Sequence, residues 1–376
     1  MKILLVGKMY APDVGGMEKV VQQYAEFAAA NGAQVEVLVF NSKPSLRDRI
    51  DVVRGIRVLR CASLGTLLST PISWTFPFRL LTRMRNVDIL HIHEPSPLAA
   101  LVLALVSPRA KLIVTWHGDV IRFGVLRRLL DSLHRVVLGR AFAVTTTSPK
   151  LIEHSRTLKL FREKMHVLPL SIEAQTFIKP PVAPKLDLPG RYALFLGRLT
   201  NYKGLEVLCE ALPYLSFAGY CVVIAGEGSQ AELARKAMRD YPGKVHMIDR
   251  RVSEDEKHQL LWQCEAFLFP STTPAEAFGI AQLEAMACGK PVINTALPTG
   301  VPWVCPDQIC GVTTPPGDAR SLAAAIDLLM ASPETGRRLG VAARTRVMEN
   351  FDDRIAEKGL MSLYHRALAS EPTFQS

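Results

Sequence analysis

One pattern constrains this chain more than any other. A short apolar strand, a loop and a helix alternate along it, stop at a run of prolines, and then begin again. Lys2 to Gly7 reads as a buried strand that runs into a loop with Gly15 and Gly16, and apolar residues at helical spacing follow from Met17 to Asn31. Further strand signals lie at Val35 to Phe40, Ile56 to Leu59, Ile89 to Ile92, Lys111 to Thr115 and Ala143 to Thr146. Strands that alternate with helices imply a parallel sheet covered on both faces, so residues 1–168 are expected to form one doubly wound α/β domain.

The segment Ile178 to Gly190 holds four prolines in thirteen residues and reads as a connector. After it the alternation restarts: strand Tyr192 to Gly197, helix Gly204 to Leu215, strand Cys221 to Gly226, helix Gln230 to Asp240, strand Val245 to Ile248, helix Glu254 to Gln263 and strand Ala266 to Phe269. A second doubly wound domain is therefore expected over residues 169–350, with a last helix in 351–376. Two such domains in tandem are expected to face a cleft where the carboxyl ends of strands meet a shared ligand.

Composition removes other classes. At 376 residues and 48% hydrophobic content the chain can bury large cores, and only 7% aromatics disfavours an all-β sandwich. The seven cysteines are scattered without a Cys-x-x-Cys pair and read as reduced cytoplasmic thiols. The apolar run Ile3 to Val6 is far too short for a signal-peptide core, and Leu98 to Val106 is far short of the roughly 20 residues that cross a bilayer. Charge is uneven: residues 1–170 carry 24 Lys+Arg against 12 Asp+Glu, whereas the whole chain is +10. A basic first half suits an anionic membrane face or a phosphorylated substrate, or is simply a solvated surface. Nucleic acid is disfavoured because the arginines lack interleaved aromatics.

The densest chemistry lies in Phe269 to Ile293. Glu276 and Glu284 stand eight residues apart at what reads as a helix start, a span of roughly 12 Å along a helix axis, too far for a shared proton. Two such carboxylates suit the two ends of a long ligand rich in hydroxyls, with the helix N-terminus near Phe278, Gly279 and Ile280 suited to a diphosphate between them. In Gly197 to Gly204, Arg198 and Lys203 follow the first strand of the second domain, where two cations can clamp a diphosphate leaving group. His117 follows the strand Lys111 to Thr115 at a cleft-facing position.

Together with Gly15-Gly16-Met17-Glu18 and Gly226-Glu227-Gly228, these motifs resemble the retaining glycosyltransferases of family 4, along nearly the whole chain. The resemblance implies the GT-B architecture of two Rossmann-like domains facing a central cleft. It implies that Glu276 contacts donor-sugar hydroxyls, that Glu284 holds the nucleotide ribose, and that Arg198 and Lys203 bind the diphosphate. His117 is implied near the donor sugar. Glu227, Phe278, Gly279 and Ile280 line the donor site, and Gly15 and Gly16 let the first loop approach the diphosphate. Glu18 and Asp119 are candidate acceptor contacts, although Asp119 could equally cap the following helix.

Further expectations follow from the same resemblance. The last helix crosses back onto the first domain. No Asp-x-Asp motif occurs, and His91 and His93 share one strand face with no obvious third ligand, so no metal or other cofactor is expected. Thr299 to Val304 is similar to bacterial mannosyl- and rhamnosyltransferases of polysaccharide assembly. The donor expected is accordingly a GDP-linked mannose or rhamnose rather than a UDP-sugar. The acceptor expected is a lipid-linked saccharide at the inner face of the cytoplasmic membrane. A nucleotide-sugar epimerase or hydrolase is the alternative activity. The sequence departs from its relatives at Asp249-Arg250-Arg251 before Ser253, which is expected to alter the pocket for the base, and at Ser171-Ile172-Glu173.

Overall fold

A computed structural model of the protein describes residues 1–13, 15–67, 70–118, 124–182 and 186–370. They form two compact units, Met1–Pro169 together with the residues from Ala356 onward, and Leu170–Ile355. The first boundary falls one residue from position 168/169. The second lies inside the last helix, Asp353–Ala369, rather than at 350/351. Backbone bonds from Ile172 N to Phe351 O (3.0 Å) and from Asp353 N to Ile172 O (3.0 Å) tie the start of that helix to the second unit.

The first unit is built on strands β1 (Lys2–Val6), β2 (Gln34–Phe40), β3 (Arg49–Val53), β4 (Ile56–Cys61), β5 (Ile89–Glu94), β6 (Lys111–Trp116), β7 (Ala143–Thr146) and β8 (Met165–Val167). Their order in the sheet is β8-β7-β6-β5-β1-β2-β4-β3. All pairings are parallel except β3 with β4. The central strands are buried on both faces because helices cover them, which is why they read as unbroken apolar runs. Strand β3 escaped the sequence reading: it is an edge strand whose apolar Ile50 and Val52 are exposed, so no burial pattern marks it.

The second unit carries β9 (Tyr192–Leu196), β10 (Cys221–Ala225), β11 (Val245–Ile248), β12 (Ala266–Leu268), β13 (Val292–Thr295) and β14 (Gly311–Thr314), all parallel, in the order β11-β10-β9-β12-β13-β14. The order reverses between β9 and β12, and in the first unit between β1 and β5. In open α/β sheets the crevice outside the carboxyl ends at such a switch point is where ligands bind.

The helix expected over Gly204 to Leu215 is a helix Leu205–Ala211 followed by a 3₁₀ turn Leu212–Tyr214, and a separate 3₁₀ turn Asn201–Lys203 precedes it. Gly204, left-handed at φ 78°, cannot continue a helix, and Pro213 lacks the amide that a further turn needs. Helix Glu254–Gln263 starts on a capping box in which Ser253 Oγ accepts from Glu256 N and Glu256 accepts from Ser253 N. The departure from the family pattern completes it: Arg250 makes a two-pronged pair with Glu256 (2.6 and 2.9 Å), and Asp249 pairs with Arg235 at 2.6 Å. These charges hold the surface of their own unit.

Candidate active site

At the switch point of the second unit, β9 pairs with β12 through Phe195 and Leu268, so the two strands release their chains side by side. The chain leaving β9 passes Gly197 and Arg198 to Lys203. The chain leaving β12 passes Phe269 and Ser271 to Glu276. Thr272 N donates to Tyr202 O (2.9 Å), which joins the two loops. Gly204 is required at this join, because a Cβ there would stand 1.9 Å from Pro270 O.

These loops bring Lys203 and Glu276 together. Lys203 Nζ lies 2.5 Å from Glu276 Oε2, and Ser271 Oγ donates to the same oxygen at 3.4 Å. The lysine also stands 5.1 Å from the Phe269 ring centroid and 5.3 Å from that of Tyr202, both favourable for a cation. Glu276 is buried, whereas Arg198 is exposed and forms no ion pair among the described residues. Glu227 is likewise exposed, between two glycines packed against the Gly197 to Leu199 backbone.

The two glutamates do not share a helix. Glu276 sits in the loop, and the helix starts only at Ile280 and ends at Ala287, so the axial spacing expected from the sequence does not apply. Gly279 caps this helix in the left-handed conformation (φ 85°), and a Cβ there would meet the Phe269 ring at 2.6 Å. Phe278 is buried against Trp303 and Phe351, which anchors the entry to the helix. Behind the first turn, Gln282 Nε2 donates to Phe278 O (2.6 Å) and Asn294 Nδ2 donates to Cys305 O (3.0 Å). These buried amides fix the loop against its own sheet.

Glu284 is also buried, and Lys257 Nζ donates to its Oε1 at 2.9 Å while pairing with Glu254 at 2.6 Å. Burial works against the charge of Lys257, but Glu284 and Glu254 outweigh it and raise its pKa above the ordinary lysine value. Glu276 and Glu284 therefore each have their own lysine.

In the first unit, Gly15 caps helix Gly16–Ala30 in extended conformation (φ −170°), and a Cβ on Gly16 would meet nothing within 4 Å. The fold itself demands neither glycine. The Glu18 carboxylate folds back over Gly15 and occupies the place of its Cβ. Asp119 lies outside the described residues.

His117 follows β6 and donates its backbone amide to Glu94 O (2.9 Å). Its ring Nε2 lies 2.9 Å from His93 Nδ1, and the two rings stack at 5.2 Å. His93 in turn stacks on His91 at 5.1 Å. Both nitrogens of His91 are engaged, Nδ1 with the Tyr364 hydroxyl and Nε2 with Thr115 Oγ1, each at 2.7 Å. The third histidine that the sequence did not reveal beside His91 and His93 is thus His117, and its nearer nitrogen is spent on His93. Burial holds His117 down to about 4, and burial together with the neighbouring His117 holds His91 at about 3; His93 is also well below its usual value. All three are neutral at physiological pH.

Residues 15–171 match the family profile described as a glycosyl transferase 4-like domain, and residues 181–346 match the one described as glycosyl transferases group 1. The D-rhamnosyltransferase WbpZ of Pseudomonas aeruginosa is 32% identical over 93% of this chain and 92% of its own length. The chain belongs to this glycosyltransferase family. The O-antigen chain mannosyltransferase C of Escherichia coli is 29% identical over 99% of this chain and 100% of its own. Sucrose-phosphate synthase of Thermosynechococcus elongatus superposes with a TM-score of 0.77 at 23% identity, covering 98% of this chain and 100% of that one. Its likeness shows the fold, which is of the GT-B class.

Sequence reasoning about this glycosyltransferase missed Lys257, Ser271 and the His91–Tyr364 pair. Lys257 lies 27 residues from Glu284 on a different helix, and its only local signal, the i,i+3 relation to Glu254, is that of an ordinary surface pair. All seven cysteines are unbridged. Among the described residues no helix is long and apolar enough to cross a membrane, and no group of three or more His, Cys, Asp or Glu is arranged to hold a metal ion.

Proposed function

We propose that this glycosyltransferase moves mannose or rhamnose from a GDP-sugar onto a lipid-linked saccharide, with retention at the anomeric carbon and without a metal. One observation carries the site assignment: the Lys203–Glu276 pair stands where the chain leaves β9 and β12, beside the switch point. A lysine and a carboxylate there match the two ends of the bond to be broken. Lys203, assisted by Arg198 and the amides at Gly279 and Ile280, neutralises the departing diphosphate, while Glu276 accepts hydrogen bonds from hexose hydroxyls. Glu284, held by Lys257, accepts from the ribose. Glu227 contributes to the donor pocket, Gly15 and Gly16 leave room for the diphosphate, and Glu18 receives the acceptor.

In this reading the bond from the anomeric carbon to the diphosphate oxygen breaks and its electron pair leaves with that oxygen. The acceptor hydroxyl oxygen then bonds to the same face of that carbon, and its proton passes to a donor phosphate oxygen. Stabilising the leaving charge is the protein's main task. The relatives named as a mannosyltransferase and a D-rhamnosyltransferase support the sugar and the saccharide acceptor.

A lipid-linked acceptor calls for a membrane face, and the first unit offers one. Residues 42–85 hold nine Lys+Arg against two Asp+Glu, a net of +7. Beside them Leu64, Ile72, Trp74 and Phe78 are exposed, the last at 64%, and Leu64 N is bonded to Ile72 O at 2.8 Å. Exposed aromatic and aliphatic side chains in a segment of net positive charge suit an anionic bilayer surface, although Arg60 is buried and Arg54, Arg57 and Arg83 face Glu26 and Glu36. We place the protein on the inner face of the cytoplasmic membrane by this patch. In co-sedimentation with vesicles containing anionic lipid, the wild type is expected to bind more than a Trp74→Ser/Phe78→Ser variant; equal binding removes the patch.

The deciding experiment incubates purified protein with GDP- and UDP-sugars in EDTA, with and without a lipid-extract acceptor, and follows nucleotide release and product mass. Acceptor-dependent transfer from GDP-mannose or GDP-rhamnose is expected, with the anomeric configuration kept. Transfer only from a UDP-sugar, or nucleotide release without product, overturns the donor or the transfer respectively.

A further inference from the structure

The three-histidine stack is larger than a single sugar contact requires, and one atom in it constrains the rest. His93 Nε2 is buried without a hydrogen-bond partner among the described residues, while its Nδ1 faces His117 Nε2 at 2.9 Å. One proton lies on that line, and there are two neutral ways to place it. If His117 Nε2–H donates, His93 must carry its own proton on Nε2, leaving a buried N–H without an acceptor. If His93 Nδ1–H donates, its Nε2 is a bare lone pair and His117 carries its proton on Nδ1. Orphaned buried N–H groups are rarer than under-satisfied acceptors, so the second arrangement is favoured. A doubly protonated ring in either residue is opposed by burial.

The ring planes are fixed as well as the proton. His93 is held between the rings of His91 and His117, with Tyr24 at 5.6 Å. His91 cannot turn, because Tyr364 and Thr115 hold its two nitrogens, and Thr115 Oγ1 is itself 2.7 Å from Thr145 Oγ1.

We propose that His93 is a positioning residue that holds His117 as its Nδ1–H tautomer, so that His117 presents an N–H donor to an oxygen of the donor sugar. The Tyr364–His91 pair on the last helix and β5 braces His93 from behind. The inference rests on the reading of His117 as a donor-sugar contact, and it adds a direction to that contact: the enzyme donates and the sugar oxygen accepts.

The test reads the tautomer directly. In full-length protein labelled with ¹⁵N-histidine, long-range ring spectra near neutral pH, assigned with a His117→Gln variant, are expected to show His117 protonated at Nδ1 and bare at Nε2. The opposite pattern overturns the proposal without any variant of His93. His93→Leu removes the donor, and His117 is then expected to shift toward the Nε2–H form with a fall in kcat of about tenfold, the worth of roughly one hydrogen bond. His93→Asn, whose amide N–H can stand near the place of Nδ1, is expected to restore both the tautomer signal and most of the rate. Equal losses in the Leu and Asn variants, alongside an unchanged His117 spectrum, reduce His93 to a packing residue. If His117→Gln keeps full transferase activity, the reading of His117 fails while the spectrum still judges His93.

Discussion

Lys203 Nζ lies 2.5 Å from Glu276 Oε2, so the two groups assigned to opposite ends of the scissile bond are partners of one another before any donor arrives. The diphosphate must then share or replace Glu276 as the counter-charge of Lys203. Lys203→Met is expected to slow transfer by ~10²- to 10³-fold, as for loss of one group that stabilises developing charge. Glu276→Gln is expected to be similarly slow. Because the residues act as a pair, the double variant should lose much less than the product of the two losses; a multiplicative loss in kcat/KM would separate their roles.

Lys257 orients Glu284 without standing at the reacting centre. Lys257→Met leaves a buried carboxylate without its cation, which is expected to loosen the ribose contact proposed for Glu284. Donor KM is expected to rise about tenfold while kcat changes little, since this contact is made equally before and during reaction. Steady-state kinetics at varied donor concentration checks it. A fall confined to kcat would place Lys257 on the phosphates instead.

The histidine stack makes stability depend on pH. Burial keeps His91 neutral down to about 3 and His117 down to about 4, with His93 also well below its usual value, whereas in the unfolded chain each titrates near 6.5. Between those values the unfolded chain binds more protons than the folded one. Stability therefore falls as pH drops below about 6.5, by on the order of 1 kcal/mol per pH unit for each histidine, and flattens only near 3 to 4. Urea midpoints followed by a probe in the first unit should fall from about pH 7 to about pH 5. His93→Asn should make that slope shallower, and a flat profile would show that the stack is hydrated.

Two glycines separate fold from function. Gly204→Ala places a methyl group against the Pro270 carbonyl at a left-handed φ, and is expected to destabilise the second unit by about 2 kcal/mol or more. Gly16→Ala meets no atom and lies at the start of a helix, so the melting temperature should hold or rise slightly. On the proposed role of Gly16, its rate should nonetheless fall. Thermal melts and transfer assays on the two variants are the check. Full activity in Gly16→Ala would move the donor away from that loop.

Local periodicity carried the architecture. Buried parallel strands announce themselves as short apolar runs, and the alternation restarts after the prolines of Ile178 to Gly190, although the unit boundary itself falls earlier, after Pro169. A boundary failed where a single residue overrode the pattern, as Pro213 did in the helix expected to run to Leu215, which ends at Ala211 and passes into a 3₁₀ turn. Edge strand β3 was illegible because nothing covers its apolar residues.

Residue types at fixed spacing made Arg198, Lys203, Glu276 and Glu284 candidates, and the resemblance to family 4 added His117. Their partners were not legible. Glu276 meets a lysine 73 residues away, Glu284 one 27 away, His117 a histidine 24 away, and His91 a tyrosine 273 away. Such pairs depend on strand order and on which loops the order sets side by side. A chain read in one dimension shows which groups are present; only the folded sheet, by placing β9 beside β12 and β5 beside β6, decides which of them touch and where their protons lie.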